Sequence, residues 1–206
     1  MLGARFRGKL YAVNPSHSVV QGVPRYGHMA NPPYPAHLVT KWTAPNGTRI
    51  TVRPIRPEDA LIEQEFVKLL SPAARYFRFM DGIRELTPQM LVRFTRIDYD
   101  RDMAFVAITE DGRGEKEIAV ARYITNPDGT SCEFAIVVAD EWQRTGLGRY
   151  MMGQLIEVAR GRGLSSMSGE ILAGNVGMQK LAMQLGFEVG PSPSDPSLRR
   201  ATLSLR

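Results

Sequence analysis

The residues with the clearest chemical pattern form a glycine-containing turn in the second half of the chain. The turn is Gln143-Arg144-Thr145-Gly146-Leu147-Gly148. It lies between an apolar, β-branched run over residues 134–138 and a segment with helical spacing, so it connects a strand to a helix. The free N–H groups and the dipole at the start of a helix favour an anion, and glycine allows a phosphate close to the backbone. We therefore predict a phosphate-binding turn at residues 143–148.

The turn differs from two well-known nucleotide-binding loops. No Gly-Lys-Ser/Thr sequence follows it, which excludes a Walker loop. No third glycine stands three residues after Gly148, which excludes the Rossmann fingerprint. From the G-x-G spacing alone, an ordinary glycine-containing turn between a strand and a helix is the alternative interpretation.

The sequence around the turn resembles the acyl-CoA-binding motif of the GNAT acetyltransferase superfamily, Q/R-x-x-G-x-G after a strand and at the start of an amphipathic helix. Asn175 and the later Leu185-Gly186-Phe187 are similar to the second cofactor segment of that superfamily. The resemblance implies that acetyl-CoA is the co-substrate. The residues expected to bind it are Val137, Val138, Gln143, Arg144, Thr145, Gly146, Leu147, Gly148 and Asn175. Arg144 departs from the pattern, because many members carry glycine there.

Three further segments, residues 53–60, 70–79 and 97–104, resemble the GNAT domain of bacterial protein lysine acetyltransferases. Longer members of that group carry an acyl-CoA-synthetase-like region ahead of this domain. Residues 6–15 and 22–24 are similar to part of the CoA-binding domain of NDP-forming acyl-CoA synthetases, but the glycine-rich turn of such a domain is missing. We expect an irregular N-terminal appendage at residues 1–39, poorly ordered or draped over the surface, and a GNAT domain at residues 40–206.

Acetyl transfer to an amine requires a general base, because a lysine ammonium, with a pKa of about 10.4, has no lone pair with which to attack. The histidines His17, His28 and His37 all precede the expected GNAT domain, so its base must be a carboxylate, a water or a tyrosine. Glu133 is the candidate: it lies four residues before Val137 on one strand, so both side chains share a face. The resembling enzymes also place a glutamate base on this strand. A surface or ion-paired strand glutamate is the alternative.

Other side chains near this site are open to more than one interpretation. Many GNAT enzymes protonate the departing thiolate with a tyrosine, but the matching position here is Ala182, and Tyr123 and Tyr150 are unranked substitutes. Alternation directs Cys132 to the face opposite Glu133, as a buried small residue rather than a nucleophile. Aromatic residues of the early helices line the acceptor groove in the resembling enzymes, although such residues more often belong to the core. They are Tyr76, Phe77, Phe79 and Phe94.

The composition of the chain restricts the classes of function that the protein can have. The chain has 206 residues, of which 43% are apolar and 23% are charged, which is typical of one globular domain with additional material. A formal charge of +5 favours anionic partners, but no nucleic-acid-binding motif is present. A single cysteine excludes an internal disulfide and a zinc site, and we predict no metal. No apolar run reaches the roughly 18 residues of a membrane span, and basic residues interrupt the N-terminus, so we expect a cytoplasmic protein.

The periodicity predicts an α/β protein with the GNAT order of elements. Strands are expected at residues 48–55, 103–109, 117–124, 132–138, 165–171, 187–189 and 198–205, and helices after Pro57, Ser71, Thr87, Gly146 and Asn175. Short turns favour an antiparallel meander for the three middle strands, within a mixed, mostly antiparallel sheet flanked by helices. The predicted function is acetyl-CoA-dependent N-acetylation of a protein lysine, in a partner such as an acyl-CoA synthetase. A small-molecule amine or amino-acid acetyltransferase and an inactive CoA-binding regulatory module are the alternatives.

Overall fold

A computed structural model of the protein describes residues 19–20, 23–24, 33–80, 83–112, 114–193 and 195–206. The chain divides into two compact units, residues 1–32 and 33–206. In the first unit, strands β1 (Val19–Val20) and β2 (Val23–Pro24) pair antiparallel. The short strand predicted at residues 9–13 lies outside the described residues.

The second unit contains the sheet and its helices. Its strands are β3 (Thr40–Thr43), β4 (Arg49–Pro54), β5 (Met103–Asp111), β6 (Gly114–Thr125), β7 (Ser131–Val138), β8 (Ser166–Leu172), β9 (Glu188–Pro191) and β10 (Leu198–Ser204). Its helices are α1 (Ala60–Leu69), α2 (Pro72–Phe79), α3 (Pro88–Thr95), α4 (Leu147–Gly161) and α5 (Val176–Gln184). Strand β3 is an addition to the predicted elements, because only Trp42 in its four residues supplies an apolar signal.

Within the described residues, the strands of this unit form one sheet in the order β3-β4-β5-β6-β7-β8-β10-β9. Neighbouring strands are antiparallel except β7 and β8, which run parallel and are connected through α4. The meander of β5, β6 and β7 and the mixed, mostly antiparallel sheet confirm the predicted fold class. Among the described strands, β7 and β8 form the only parallel pair, and β7 leads into the glycine-containing turn.

Two apolar layers cover the two faces of the sheet. Helix α4 packs on one face through Leu147, Met151 and Leu155, all fully buried. Helices α1 and α3 cover the other face, where Phe66 of α1 joins the buried cluster. Strand β7 contributes to both layers, since Cys132 and Phe134 belong to the first cluster and Val137 to the second. Glu133, an even number of residues from Val137, therefore lies on the face of helices α1 to α3.

Local sequence signals account for the starts of two of these helices. Ser71 Oγ accepts a hydrogen bond from the Ala74 N–H at 3.1 Å, and Thr87 Oγ1 accepts one from the Met90 N–H at 3.2 Å. Each cap is followed by proline at the first helical position, as predicted. Ser71 also donates through its hydroxyl to Asp140 at 2.8 Å, which ties the start of α2 to the segment after β7.

Candidate active site

The two parallel strands separate beside the glutamate predicted as the base. Strand β7 pairs with β8 at three positions, and the last of them joins Glu133 to Ser168. From residue 134 onward, the backbone groups of β7 that face β8 lie outside this ladder, although β7 pairs with β6 as far as Val138. A cleft therefore opens between the strands, with Glu133 at its closed end and the glycine-containing turn at its open end.

A phenylalanine and a glycine occupy the position at which the strands part. The Phe134 ring lies so close over Gly169 of β8 that a Cβ on this glycine would stand 2.7 Å from Cε1 of the ring. The Phe187 ring meets Phe134 edge to face at a centroid distance of 5.1 Å. The Phe134 ring thus takes the space that a side chain at position 169 would occupy beside β7.

The turn after β7 is held by short-range hydrogen bonds. Residues Asp140–Trp142 form a single 3-10 turn, and the Thr145 hydroxyl donates to the Trp142 carbonyl at 2.7 Å. The Gln143 side-chain amide donates to the Val138 carbonyl at 3.2 Å, at the mouth of the cleft. The turn therefore has a defined shape that brings Gln143 and Thr145 to the end of β7.

Helix α4 begins without a cap from its N-cap residue, and among the described residues only the Thr145 hydroxyl accepts a hydrogen bond from its first N–H, that of Leu147, at 3.4 Å. Gly146 at the N-cap has φ +98° and offers no capping side chain. Arg144, two residues earlier, also has a positive φ, +62°, which glycine adopts more readily than arginine. Successive turn and helix N–H groups in such a conformation form a concave anion site. These residues fit the pyrophosphate of a CoA nucleotide, and the positive φ of Arg144 explains why glycine is frequent at its position in the resembling enzymes.

Gly148, in the first turn of α4, connects this anion site to the cleft. A Cβ at Gly148 would stand 3.5 Å from Leu181 of α5, 3.6 Å from Val138 and 3.8 Å from Ile136. All three are ordinary contacts, so packing alone does not require glycine here. The start of α4, the end of β7 and helix α5 thus converge on one point, as a site for the pantetheine arm requires.

Asn175 begins helix α5, at the position predicted to contact the cofactor. Its Oδ1 accepts a hydrogen bond from the Met178 N–H at 3.1 Å, so the oxygen caps the helix. The side-chain amide nitrogen is the group left to donate to a ligand. Ala182, further along α5, is fully buried in the core and supplies no acid.

Glu133 lies among other charged groups at the closed end of the cleft. The Glu133 side chain is exposed to solvent on one side. Partial burial of its carboxyl group raises its pKa, the nearby Glu170 carboxylate raises the pKa further, and Arg200 lowers it. A raised pKa improves a carboxylate as a proton acceptor while it stays ionised near neutral pH. The environment of Glu133 is therefore compatible with the chemistry predicted for it.

The cysteine and one of the two tyrosines are buried in the core. Cys132 is fully buried, and burial raises the pKa of its thiol to about 12, as suits the structural residue predicted. Tyr123 is also fully buried, accepts a hydrogen bond from Arg162, and has its pKa raised to about 12 by burial. It therefore lies in the core. Tyr150 lies in the first turns of α4, with its ring 6.1 Å from that of Trp42.

The helices predicted to receive the acceptor border an open cavity of about 800 Å³. Tyr76 lines this cavity, whereas Phe77 is partly exposed but is not among the lining residues. Phe79 and Phe94 instead pack against the core, and the Arg78 guanidinium lies 5.0 Å from the Phe79 ring centroid. The described lining is mainly basic rather than acidic, with three cations and one carboxylate: Lys68, Arg75, Arg84 and Glu85.

Two charged residues of the site are absent from the predicted set. Glu170 lies on β8 and Arg200 on β10, and they face each other across the antiparallel pair. The alternation of Ser166, Ser168 and Glu170 with buried residues predicts one polar face on β8. It does not identify β7 as the neighbouring strand, because that pairing forms across the α4 crossover.

The chain is similar to known acetyltransferases over most of its second unit. The Acetyltransferase (GNAT) domain family matches residues 49–188. An acetyltransferase of Pseudomonas aeruginosa is 37% identical over 150 residues, covering 73% of this chain and 81% of that protein. The acetyltransferase Pat of Mycolicibacterium smegmatis is 29% identical over 136 residues, covering 66% of this chain and 40% of that protein. The crystal structure of the GNAT domain of S. lividans PAT has a TM-score of 0.75 and 26% identity, covering 83% of this chain and 99% of that one.

These matches establish the family. The chain belongs to the GNAT acetyltransferases, and the matched range contains the glycine-containing turn, Glu133 and Asn175. It is therefore an acetyltransferase, and its acyl donor is acetyl-CoA. The chain spans 40% of the length of the Mycolicibacterium smegmatis relative. In the described part of the chain, no helix has the length and apolar character needed to cross a membrane.

Proposed function

We propose that the chain transfers the acetyl group of acetyl-CoA directly to the side-chain amine of a protein lysine, with Glu133 as the general base. The observation that carries the proposal is the cleft between β7 and β8. It begins beside Glu133, where the strand pairing ends, and leads to the start of α4. A carboxylate and an anion site at opposite ends of one cleft suit a reaction between an amine and a CoA thioester.

The donor site is built from backbone groups. The turn at residues 143–148 and the first N–H groups of α4 would hold the pyrophosphate, and the unpaired edge of β7 would hold the pantetheine arm as an added strand. Asn175 would donate to the arm through its amide nitrogen. Val137 and Val138 lie on this edge, where a backbone N–H can bind the thioester carbonyl oxygen. One such donor contributes about 2.7 to 4 kcal/mol to transition-state stabilisation.

Glu133 would take the proton that the acceptor amine loses. Acetyl-CoA supplies the activated thioester; transfer forms a C–N bond to the amine and breaks the C–S bond. The amine proton passes to the Glu133 carboxylate, directly or through one water. The thiolate is a good leaving group and can take its proton from water, which agrees with the buried Ala182 at the position of the usual tyrosine. No covalent acyl-enzyme is needed, and the buried Cys132 is not a nucleophile.

The protein acceptor is supported by the surface around helices α1 and α2. The cavity of about 800 Å³ beside α2 is open and has the exposed Tyr76 on its wall, so it can admit a segment of another chain. Ser71 and Asp140 tie the start of α2, the helix whose Tyr76 lines the cavity, to the segment that follows β7. The resemblance to bacterial protein lysine acetyltransferases supports a cytoplasmic enzyme such as an acyl-CoA synthetase as the acceptor.

Release of CoA from acetyl-CoA, measured against a panel of acceptors, tests this proposal. The panel contains a lysine-bearing acyl-CoA synthetase, free amines and free amino acids, and the variants are the wild type and Glu133→Gln. We expect turnover with the protein acceptor and a loss of about 10²-fold or more in the variant, as for other general bases. Turnover only with free amines would replace the lysine assignment by a small-molecule one. Binding of acetyl-CoA without consumption of any acceptor would favour a regulatory module.

A further inference from the structure

Three side chains on neighbouring strands form a charged row at the closed end of the cleft. Glu133 on β7 is opposite Ser168 on β8, and Glu170 follows two residues later on the same face. Arg200 on β10 is opposite Glu170, and its Nη1 lies 3.8 Å from Glu170 Oε1. Paired residues and residues two apart share a face of the sheet. From β7 to β10, the row therefore consists of two carboxylates followed by one guanidinium.

The middle carboxylate of this row is only partly compensated. Glu170 meets Arg200 through one oxygen at a long distance, while its other oxygen, Oε2, is buried and has no hydrogen-bond partner among the described residues. The Glu170 side chain is 24% exposed and that of Arg200 52% exposed. The negative charge of Glu170 therefore still acts on groups of β7, because neither water nor a close cation screens it fully.

The other charged groups around Glu133 are directed elsewhere. On β6, the residue opposite Glu133 is the uncharged Ile124, and Arg122 turns to Glu63, 3.6 Å away. On α2, which packs against β7, Arg75 donates to the Lys68 carbonyl and Arg78 lies over the Phe79 ring. Among the described residues, the charges that act on Glu133 are therefore those of Glu170 on β8 and Arg200 on β10.

We infer that Glu170 is a positioning residue for catalysis. Together with the opposite charge of Arg200, it sets the pH at which Glu133 becomes a proton acceptor. This inference rests on the proposed role of Glu133. A like charge beside a carboxylate opposes its ionisation, and a cation favours it. The pKa of Glu133 follows both rules, since after the effect of burial Glu170 raises it and Arg200 lowers it. A carboxylate with a raised pKa is a stronger base towards an amine, and the charges of Glu170 and Arg200 adjust this strength.

The inference predicts opposite changes in two variants. The base works only when ionised, so activity rises with pH through the pKa of Glu133. Glu170→Gln removes the like charge and keeps the shape, so the rising limb of the profile of kcat/KM against pH moves to lower pH. Arg200→Gln removes the positive charge that opposes Glu170, so the rising limb of this profile moves to higher pH. Loss of packing alone would reduce activity in both variants without moving the limb in opposite directions.

The experiment combines this profile with a direct titration of the Glu133 carboxyl carbon by ¹³C NMR in the protein without acceptor. The control variant is Glu188→Gln, because Glu188 pairs with Thr202 on the same face one strand beyond Arg200 and does not affect Glu133. We expect the NMR titration to move down in pH for Glu170→Gln, up for Arg200→Gln and not at all for Glu188→Gln. Thermal unfolding of each variant verifies that it is folded.

The outcomes separate this inference from the proposed function. If Glu133→Gln abolishes activity but both limbs and both titrations stay at their wild-type positions, the inference is wrong and the base assignment stands. If Glu133→Gln retains wild-type activity and its rising limb, the base assignment fails and the role of Glu170 in catalysis fails with it. In that case the NMR titration still shows whether Glu170 acts on Glu133 electrostatically. Opposite shifts in both readouts, together with loss of activity in Glu133→Gln, support the inference.

Discussion

Gly148 allows the acetyl-CoA site to be tested separately from the stability of the fold. In Gly148→Ala the new methyl group makes contacts of 3.5 to 3.8 Å with Leu181, Val138 and Ile136, none of which forces a neighbour to move. Alanine also favours a helix over glycine by up to about 1 kcal/mol. We therefore expect the variant to be as stable as the wild type or slightly more stable.

The same methyl group is expected to weaken donor binding. It stands in the first turn of α4, between the N–H groups of that turn and the end of β7, where the pyrophosphate and the pantetheine arm would meet. Loss of one hydrogen bond to a charged group costs about 1.5 to 3 kcal/mol, which corresponds to an increase in Kd of about 10- to 150-fold.

Isothermal titration with acetyl-CoA and thermal unfolding measure the two effects. The matched control is Gly153→Ala in the middle of the same helix, where a Cβ meets nothing within 4 Å. It should stabilise the helix and leave the Kd unchanged. An unchanged Kd in Gly148→Ala, or a drop in stability without loss of affinity, would refute the assignment of this turn as the donor site.

Two further substitutions test the local structure around the cleft. Gly169→Ala places a Cβ 2.7 Å from the Phe134 ring, so we expect a loss of about 1 to 3 kcal/mol in the free energy of unfolding. Urea denaturation should show part of this loss restored by adding Phe134→Leu, and a stability equal to wild type in the single variant would contradict the packing described. At position 144, where φ is +62°, the Gly variant should be more stable than the Ala variant by about 1 kcal/mol. An alanine variant that matches or exceeds the glycine variant in the same assay would show that this backbone is not strained.

Much of the fold follows from local sequence signals. Ser71-Pro72 and Thr87-Pro88 predict two helix starts because capping and proline act within a few residues. Alternation and short turns likewise predict the meander of β5, β6 and β7. Strand β3 was missed because it depends on pairing with β4 at the edge of the sheet, which no pattern within its four residues reveals.

The features of the candidate site also divide into those that local sequence signals predict and those that depend on distant residues. The glycine-containing turn is a continuous motif, so its position after β7 and before α4 could be predicted. No local pattern indicates the departure of β7 from β8 after Glu133, where the Phe134 ring lies over Gly169, because the α4 crossover brings these two residues together. Glu170 and Arg200 were missed for the same reason. Their effect on Glu133 requires the register of three strands, and that register is not local.

In the proposed mechanism, Glu133 removes the proton from the acceptor amine at the closed end of the cleft. Single-turnover acetyl transfer at saturating acetyl-CoA, with the Kd of acetyl-CoA measured beside it, tests this claim most directly. For Glu133→Gln we predict a transfer rate about 10²- to 10⁴-fold below wild type and an unchanged Kd. The control Glu157→Gln, on the exposed face of α4, should transfer at the wild-type rate. A wild-type transfer rate in Glu133→Gln would contradict the account.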